Sequence, residues 1–470
     1  MNREKKLFSN TIIITIGKVS TQMITFLLLP LYTSILTTEE YGIVDLLNTL
    51  VSLLLPIITF QVEQAIFRDL IEFRCNQSHK EEIMTTGIIT VCFQCIIYLL
   101  LFLPISPFIA NRYKFFLASN VITNIFLSLL LQIARGLGDN KKYALASFIS
   151  AIFTIVFNVL FLVVFKIGAY GMLLGTMLGQ IIAIVYLVLS LNIFQYIKFG
   201  EYKFSVLKKL WKYSIPLIPN AISWWVFNAS DRVIATTFLG VSQNGILSAS
   251  LKFSSVYITL YNIFNLSWTE SVSIASNDSD FDEYFNKMLN IMLKFFVGLA
   301  VGIISCMPFV FPIMINEKFG SGYGLIPISI LASLFNVVVG LISVLYIAKK
   351  NTKAIASTSV SSAIINIVVH LLLIKFVGLY AAVISTFVAF FVMSIYRMRD
   401  IRKKYFKLKI NDGLIIKTFI VLLFVIPMYY INNLYLNILS VLIAIFFAWD
   451  LNKNSVKPIL NMVKAKVKKV

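Results

Sequence analysis

Fourteen apolar stretches, each long enough to cross a lipid bilayer, occupy almost the whole of this chain of 470 residues. A helix needs roughly 20 apolar residues to span the hydrocarbon core, so fourteen helices account for about 280 residues. The links between the stretches are short, and none has room for a soluble domain. Because a helix satisfies its backbone polar groups internally, the sequence predicts an all-α, polytopic membrane protein with fourteen transmembrane helices.

The composition agrees with a membrane protein. Charged residues make up 13% of the chain, against about 25% in soluble proteins, and the mean hydropathy is +0.87. We expect the helices near residues 10–36, 43–62, 83–105, 113–133, 145–166, 168–194, 213–239, 243–266, 288–316, 325–348, 355–374, 377–396, 414–432 and 434–450.

The basic residues are distributed unevenly between alternate links. The net charge is +20, and if the N-terminus is cytoplasmic, 32 of the 41 Lys and Arg residues lie on the cytoplasmic side and five lie outside. The positive-inside rule therefore predicts that both termini are cytoplasmic. This placement argues against a nucleic-acid partner. We expect the basic clusters at 397–417 and 453–469 to meet anionic membrane lipids, or, for the last dozen residues, water.

The chain contains two copies of one pattern. Residues 36–43, Leu-Thr-Thr-Glu-Glu-Tyr-Gly-Ile, match residues 239–246, Leu-Gly-Val-Ser-Gln-Asn-Gly-Ile, at an offset of 203. Residues 166–171 likewise match residues 375–381. Each copy holds six helices and therefore begins on the same side of the membrane. This arrangement predicts two parallel, pseudo-symmetric lobes that rock about a central cavity.

Small residues recur at matched positions in the two copies. They lie four residues apart on helices six and twelve: Gly171, Gly175 and Gly179, and Ala381, Ser385 and Ala389. Such faces let helix backbones approach closely in lipid. We place an N-lobe at 1–200, a C-lobe at 201–400, and two appended helices with a basic tail at 401–470.

Polar residues fall into stripes on four helices that are equivalent in the two copies. At spacings of three and four residues, members of a stripe share one helix face. The stripes are Thr11, Thr15, Lys18, Gln22 and Thr25 on helix one; Asp45, Thr49, Ser52, Thr59 and Glu63 on helix two; Asn220, Trp224, Asn228, Arg232 and Thr236, beside Asp231, on helix seven; and Ser248, Lys252, Ser255, Thr259 and Asn262 on helix eight. We expect these faces to enclose a polar cavity, although hydrogen bonding between helices is an alternative for the uncharged members.

Embedded charges favour the cavity. A Lys or Arg at a helix centre costs roughly 2.5 to 3.5 kcal/mol on insertion scales and normally faces water or a partner. Snorkelling to the interface is the simpler account of Lys294, and pairing with Asp231 or Asp45 is an alternative for Arg232. Together with Lys18 and Lys252, these bases outnumber the embedded acids. A cavity of positive potential suits a phosphate or pyrophosphate.

Other chemistry leaves no pattern in the sequence. We find no phosphate-binding loop of the G-x-x-x-x-G-K-[ST] type, no Ser-His-Asp arrangement and no metal-ligand cluster. The links are too short for the catalytic groups of a membrane glycosyltransferase or polymerase. We therefore expect a transporter rather than an enzyme, with no cofactor and no metal.

Four short segments carry a family resemblance: 30–42 at the end of helix one, 61–68 after helix two, 216–220, and Asp231-Arg232 in helix seven. With these segments the chain resembles the polysaccharide-biosynthesis branch of the multidrug/oligosaccharidyl-lipid/polysaccharide (MOP) exporter superfamily, of the O-antigen flippase (Wzx) type. The resemblance covers the whole chain. It marks the superfamily better than the individual substrate.

The resemblance implies a flippase that moves undecaprenyl-pyrophosphate-linked oligosaccharide from the cytoplasmic to the outer leaflet of the bacterial inner membrane, for O-antigen, capsule or other surface polysaccharide. A polysaccharide polymerase and a chain-length regulator would then be partners. The family's cationic cavity would fall on Lys18, Arg232 and Lys252, and we add Gln22, Asn228 and Lys294 as substrate contacts. Asp45, Glu63 and Asp231 are candidates for ion coupling or charge pairing on chemistry alone. The alternative is a MATE-like antiporter of cationic drugs, whose cavity would favour carboxylates.

Overall fold

The computed structural model describes residues 26–73, 76–108, 112–276, 278–349 and 351–467. Within these residues the chain forms sixteen α-helices and no β-strand, as predicted. The chain divides into two compact units, Met1–Gly245 and Ile246–Val470. The predicted lobe boundaries at 200 and 400 follow the sequence repeat and remain a prediction.

The described residues of the first unit form nine helices and the start of a tenth. They are α1 Leu29–Ile35, α2 Thr38–Thr59, α3 Val62–Glu72, α4 Gln77–Ile105, α5 Lys114–Leu137, α6 Asn140–Val159, α7 Gly168–Ser190, α8 Phe204–Ser214, α9 Ile218–Leu239 and α10 Val241–Ala275. The second unit contains the remainder of α10 and the last six helices. These are α11 Phe281–Met314, α12 Ile326–Ala348, α13 Thr352–Val377, α14 Tyr380–Lys404, α15 Asp412–Ile431 and α16 Leu434–Val467.

Eleven of the described helices are long and apolar enough to cross a membrane. Helices α9 and α10, which carry Asp231, Arg232 and Lys252, are not among them, although each lies on a predicted span. Most of the first predicted span, 10–36, lies outside the described residues. Helix α1 forms its end.

The second predicted span is broken near its end. Helix α2 continues through Pro56 and stops at Thr59, and the chain then takes left-handed conformations at Phe60 and Gln61, with φ of 51° and 56°. Such conformations are uncommon for residues other than glycine. Helix α3 begins immediately afterwards and carries Glu63 in its first turn.

The predicted small-residue face of α7 packs closely on α6. A Cβ added to Gly175 would lie 2.1 Å from Oδ1 of Asn158, and one added to Gly179 would lie 2.6 Å from the backbone nitrogen of Thr154. The space needed for a side chain at either glycine is therefore already occupied. This confirms that small residues let these two helices approach, which is how dispersion contacts hold helices together in lipid.

The second unit repeats this packing between α13 and α14. Asn366 lies 208 residues after Asn158 and donates a hydrogen bond of 3.1 Å to Oγ1 of Thr386. Ser385, the counterpart of Gly175, is fully buried beside it. The repeat read from the sequence is thus a repeat of helix contacts.

Arg397 differs from its prediction. We placed it in a basic link that meets lipid head groups, but it is the buried end of a polar seam between α13 and α14. Its guanidinium donates a 2.7 Å hydrogen bond to Oγ1 of Thr358 and further bonds to Ser343 and Ser359. A buried cation requires such partners, because an unsatisfied one costs several kcal/mol.

The appended helices α15 and α16 are held to the rest of the second unit through α11. Asn286 and Asn290, one helical turn apart, each bond to the main chain of residues 407–411. Asn286 accepts from the nitrogen of Lys409 at 2.7 Å and donates to the carbonyl of Lys407 at 3.3 Å. Asn290 donates to the carbonyl of Lys409 at 2.7 Å and accepts from the nitrogen of Asn411 at 2.9 Å. The link before α15 is therefore fixed at its backbone.

Candidate functional site

The polar faces of α2 and α9 meet at an ion pair. Nε of Arg232 lies 3.0 Å from Oδ2 of Asp45, and the side chains are 23% and 14% exposed. Asp45, one of the two acids considered from the sequence, is therefore a partner of Arg232. Both groups are largely removed from water but not sealed, so the pair neutralises Arg232 while leaving part of it accessible.

A second contact fixes the same two helices. Nε1 of Trp225 donates a 2.9 Å hydrogen bond to the carbonyl of Thr49. Asp45 contacts Arg232, and Thr49, further along α2, contacts Trp225, which comes earlier on α9. The two helices therefore run antiparallel. The predicted stripe contained Trp224, which is 54% exposed. Trp225 lies seven residues before Arg232, two full turns away, whereas a four-residue step drifts off the face.

The first turns of α2 and α10 contact each other through the repeated motif. A Cβ on Gly42 would lie 2.1 Å from the carbonyl oxygen of Val241, and one on Gly245 would lie 1.9 Å from the carbonyl oxygen of Thr38. Thr38 and Val241 are equivalent in the repeat, so the contact is reciprocal.

Two hydrogen bonds complete this contact. Nδ2 of Asn244 donates to the carbonyl of Gly42 at 3.0 Å, and the hydroxyls of Thr38 and Ser242 are 2.7 Å apart. We name this the glycine contact. Sequence reasoning found the repeated motif but not that its two copies touch.

Glu63 is held in a separate buried cluster in the first unit. Its carboxyl is 3% exposed, and its Oε2 has no hydrogen-bond partner within the part of the chain that the structure describes. Gln94 of α4 donates a 3.2 Å hydrogen bond to the carbonyl of Thr59, and its own Oε1 is likewise buried and unbonded among those residues. Burial raises the pKa of the Glu63 carboxyl, because a low-dielectric environment disfavours its charged form.

The remaining predicted residues are distributed over both units. Asp231, like Asp45, Glu63 and Arg232, lies in the first unit and is 9% exposed. Lys252 and Lys294 lie in the second unit, and both are half-buried. Lys18 and Gln22 lie outside the described residues, as does the side chain of Asn228. The structure thus joins Arg232 to Asp45 and leaves the full cavity a prediction.

The chain matches a family model over much of its length. The model for polysaccharide biosynthesis proteins covers residues 7–269, which is more than half of the chain. The chain belongs to the polysaccharide biosynthesis protein family. No curated protein matches it.

Solved structures share the fold of this polysaccharide biosynthesis protein at low identity. Lipid II flippase MurJ in an inward closed conformation is 16% identical with a TM-score of 0.69, and the match covers 96% of this chain and 100% of MurJ. An inward-facing multidrug resistance MATE transporter of the MOP superfamily is 14% identical, with a TM-score of 0.68 and coverages of 81% and 94%. An outward-facing MATE transporter is 14% identical with a TM-score of 0.60, and the match covers 86% of this chain and 96% of the transporter.

The family match confirms the polysaccharide-biosynthesis family predicted from the sequence. The protein is an all-α, multi-pass membrane protein of that family, and it shares its fold with a solved lipid flippase and with MATE transporters.

Proposed function

We propose that the protein is a flippase for undecaprenyl-pyrophosphate-linked oligosaccharide, moving it from the cytoplasmic to the outer leaflet of the bacterial inner membrane. The observation that carries this proposal is the family match over residues 7–269. Both termini would be cytoplasmic, as the basic links suggest. The product would supply a surface polysaccharide such as O-antigen or capsule, and a polymerase and a chain-length regulator would consume it.

The Arg232–Asp45 pair supplies a chemical step for such transport. A guanidinium binds carboxylate and phosphate in the same forked geometry, so a pyrophosphate can take the place of Asp45 on Arg232. The substrate would thereby exchange one ion pair for another, which avoids leaving Arg232 unpaired in a poorly hydrated site. Lys18, Lys252 and Lys294, with Gln22 and Asn228, would hold the rest of the pyrophosphate and sugar.

Ion coupling would use the acids left by this exchange. Once the Asp45 carboxylate is released from Arg232, it can take up a proton or a cation from the gradient. Glu63, already buried without a counter-charge among the described residues, is the second candidate. Asp231 stands beside Arg232 and would support its charge.

The decisive experiment uses cells that lack the protein but retain the initiation of glycan synthesis. Mass spectrometry should find complete lipid-linked repeat units accumulating, and an external glycosidase should fail to reach them in intact cells. Normal glycan lipids would refute the proposal.

A drug antiporter is the second candidate, because a MATE transporter has the same fold at a TM-score of 0.68. It predicts normal glycan lipids together with heightened sensitivity to cationic drugs in the same cells. The excess of embedded bases over acids, which repels cationic drugs, favours the flippase.

A further inference from the structure

The first unit contains an open pocket that the transport mechanism above does not use. It has a volume of about 730 Å³ and lies where the α4–α5 link, the α6–α7 link and the start of α2 come together. Arg112, Tyr113, Lys166 and Tyr170 line it, with Glu40 at one side. It is far along the sequence from Arg232 and shares no residue with the glycine contact.

The pocket has a net positive charge. Arg112 is fixed over two tyrosine rings, 4.8 Å from the centroid of Tyr113 and 5.7 Å from that of Tyr170. Among the described residues, no acid lies within ion-pairing distance of Arg112 or Lys166. The pKa of Arg112 is raised by its neighbour Tyr113, so the guanidinium is always charged.

Glu40, the acid among the described lining residues, is already engaged by hydrogen-bond donors. Glu40 accepts from the backbone nitrogen of Thr37 at 3.0 Å in a capping box and from that of Ala169 at 3.4 Å. These bonds hold its carboxylate at the helix start, where the dipole of α2 also stabilises it. Arg112 and Lys166 are therefore left to attract an anion from solution or lipid.

An irregular backbone presents Lys166. Helix α6 widens into a π-turn at Leu160–Val164, and the nitrogen of Ile167 bonds to the carbonyl of Phe161. Lys166 itself has a φ of 53°, in the left-handed region. Strained residues of this kind cost of order 1 to 3 kcal/mol and persist where the surroundings determine them, often at binding sites.

One wall of the pocket continues onto an apolar surface. Val163 and Ile167, which line it, are 42% and 39% exposed, and the adjacent Val164 and Phe165 are 65% and 59% exposed. In a membrane protein these side chains contact acyl or prenyl chains. A ligand that fits both features has an anionic group joined to an apolar chain.

The second unit closes the equivalent position. Tyr380, the repeat counterpart of Tyr170, lies so near Gly324 that a Cβ there would be 2.1 Å from its hydroxyl. Tyr430 of α15 covers the same glycine and donates a 2.8 Å hydrogen bond to its carbonyl. No helix that the structure describes in the first unit lies over the pocket beside Arg112 as α15 lies over Gly324, and the pocket is open there.

We propose that this pocket binds the phosphate or pyrophosphate head group of a membrane lipid in the outer leaflet. The side of the membrane rests on the orientation given with the proposed function. Arg112 and Lys166 would hold the phosphate oxygens, the two tyrosines would flank the group, and the lipid chain would lie along Val163 and Ile167. The lipid is either a bulk anionic phospholipid or a prenyl pyrophosphate.

Binding to the purified full-length protein tests this proposal. The probes are phosphatidylglycerol, farnesyl pyrophosphate, inorganic pyrophosphate and the zwitterionic phosphatidylcholine, each titrated in detergent by native mass spectrometry. The variant is Arg112→Gln with Lys166→Gln. Its matched control is Lys375→Gln, which changes the exposed repeat counterpart of Lys166.

The double variant should bind one anionic lipid roughly tenfold more weakly than the wild type, because charge-assisted hydrogen bonds to phosphate are lost. The control should match the wild type. Weaker binding of phosphatidylglycerol alone identifies a phospholipid, and weaker binding of farnesyl pyrophosphate identifies a prenyl ligand. Equal affinity of the double variant and wild type for both lipids would overturn the proposal. So would equal affinity for inorganic and farnesyl pyrophosphate, since the apolar wall would then contribute nothing.

Two further measurements separate this pocket from folding and from transport. The charge-preserving variant Arg112→Lys with Lys166→Arg should retain most of the lipid binding. If this variant also fails to bind lipid, the two charges are not what holds the lipid, and the weak binding of the double glutamine variant reflects misfolding. Lys166→Cys should react with an impermeant maleimide in intact cells; no reaction would overturn the outer-leaflet position of the pocket. Normal glycan lipids in cells lacking the protein would refute the flippase proposal. They would not affect the proposal that the pocket beside Arg112 binds a lipid.

Discussion

The glycine contact makes a strong prediction, because a single methyl group should force it apart. In Gly42→Ala the new Cβ would meet the carbonyl oxygen of Val241 at 2.1 Å and the nitrogen of Gly245 at 2.9 Å. Carbon and oxygen rest at about 3.3 Å or more. The first turns of α2 and α10 must therefore separate by roughly 1.2 Å, the difference between that distance and the one in the structure.

That displacement breaks both hydrogen bonds of the contact. The bond of 2.7 Å between the hydroxyls of Thr38 and Ser242 and the bond of 3.0 Å from Asn244 to Gly42 would each lengthen beyond hydrogen-bond range. Two lost bonds at about 0.5 to 1.5 kcal/mol each, with the lost packing, amount to roughly 2 to 4 kcal/mol. The population of the closed contact should then fall by a factor of roughly 30 or more.

Disulfide formation between Thr38→Cys and Ser242→Cys reports this population. Because the two cysteines replace the hydroxyl pair in every variant, only the Asn244 bond and the packing, roughly 1 to 3 kcal/mol, separate Gly42→Ala from its parent in this assay. The two positions face each other across the contact, so the pair should cross-link rapidly in the parent protein and much more slowly when Gly42→Ala is added. The matched control is Gly302→Ala, where an added Cβ meets nothing within 4 Å. Equal cross-linking rates with and without Gly42→Ala would refute the argument.

Three further predictions concern buried charge. Arg232→Ala should lower both the protein level and export, because Asp45 is left buried without its counter-charge. Adding Asp45→Ala should restore the protein level, which corresponds to a coupling energy of about 1 to 3 kcal/mol, but it should not restore export. Recovery of export in the double variant would remove Arg232 from the transport path. The wild type should lose stability relative to Glu63→Gln as pH rises from 5 to 8 in thermal unfolding, because a raised pKa makes the folded state hold more protons than the unfolded one; parallel pH profiles would contradict this. Arg397→Ala should destabilise the protein by about 3 kcal/mol, because it removes a buried side chain and the hydrogen bonds that its guanidinium donates to Thr358, Ser343 and Ser359; a melting temperature within one or two degrees of wild type would disprove the seam.

Much of the fold could be predicted because the membrane imposes it. Apolar length located the helices, and small residues at Gly175 and Gly179 predicted where two of them touch. The break at Phe60 and Gln61 was not predictable, since neither residue is glycine or proline and Pro56 stands before it. Arg397 was misplaced because a count of basic residues cannot distinguish a link from a buried helix end.

The site could be predicted only in part. Periodicity placed Asp45 and Arg232 on polar faces, but Asp45 and Asp231 were equally available to Arg232 in the sequence, and only the structure shows the ion pair with Asp45. Trp225 was missed because a four-residue step was used where the helix repeats every 3.6 residues. The pocket beside Arg112 left no sequence signal, because its walls come from parts of the chain that are far apart in sequence, two links and the start of α2.

The two asparagines on α11 determine how much the sequence of the link before α15 can vary. Among the residues that the structure describes, Asn286 and Asn290 bond only to main-chain atoms, so they cannot distinguish one side chain from another at residues 407–411. Leu408 is 1% exposed, while Lys407 and Lys409 on either side face outward. The link therefore needs an apolar residue at 408 and an N–H, hence no proline, at 409 and 411. The other side chains of this link can change to suit the membrane surface or a partner beside it, and the attachment of the last helix pair would not be disturbed.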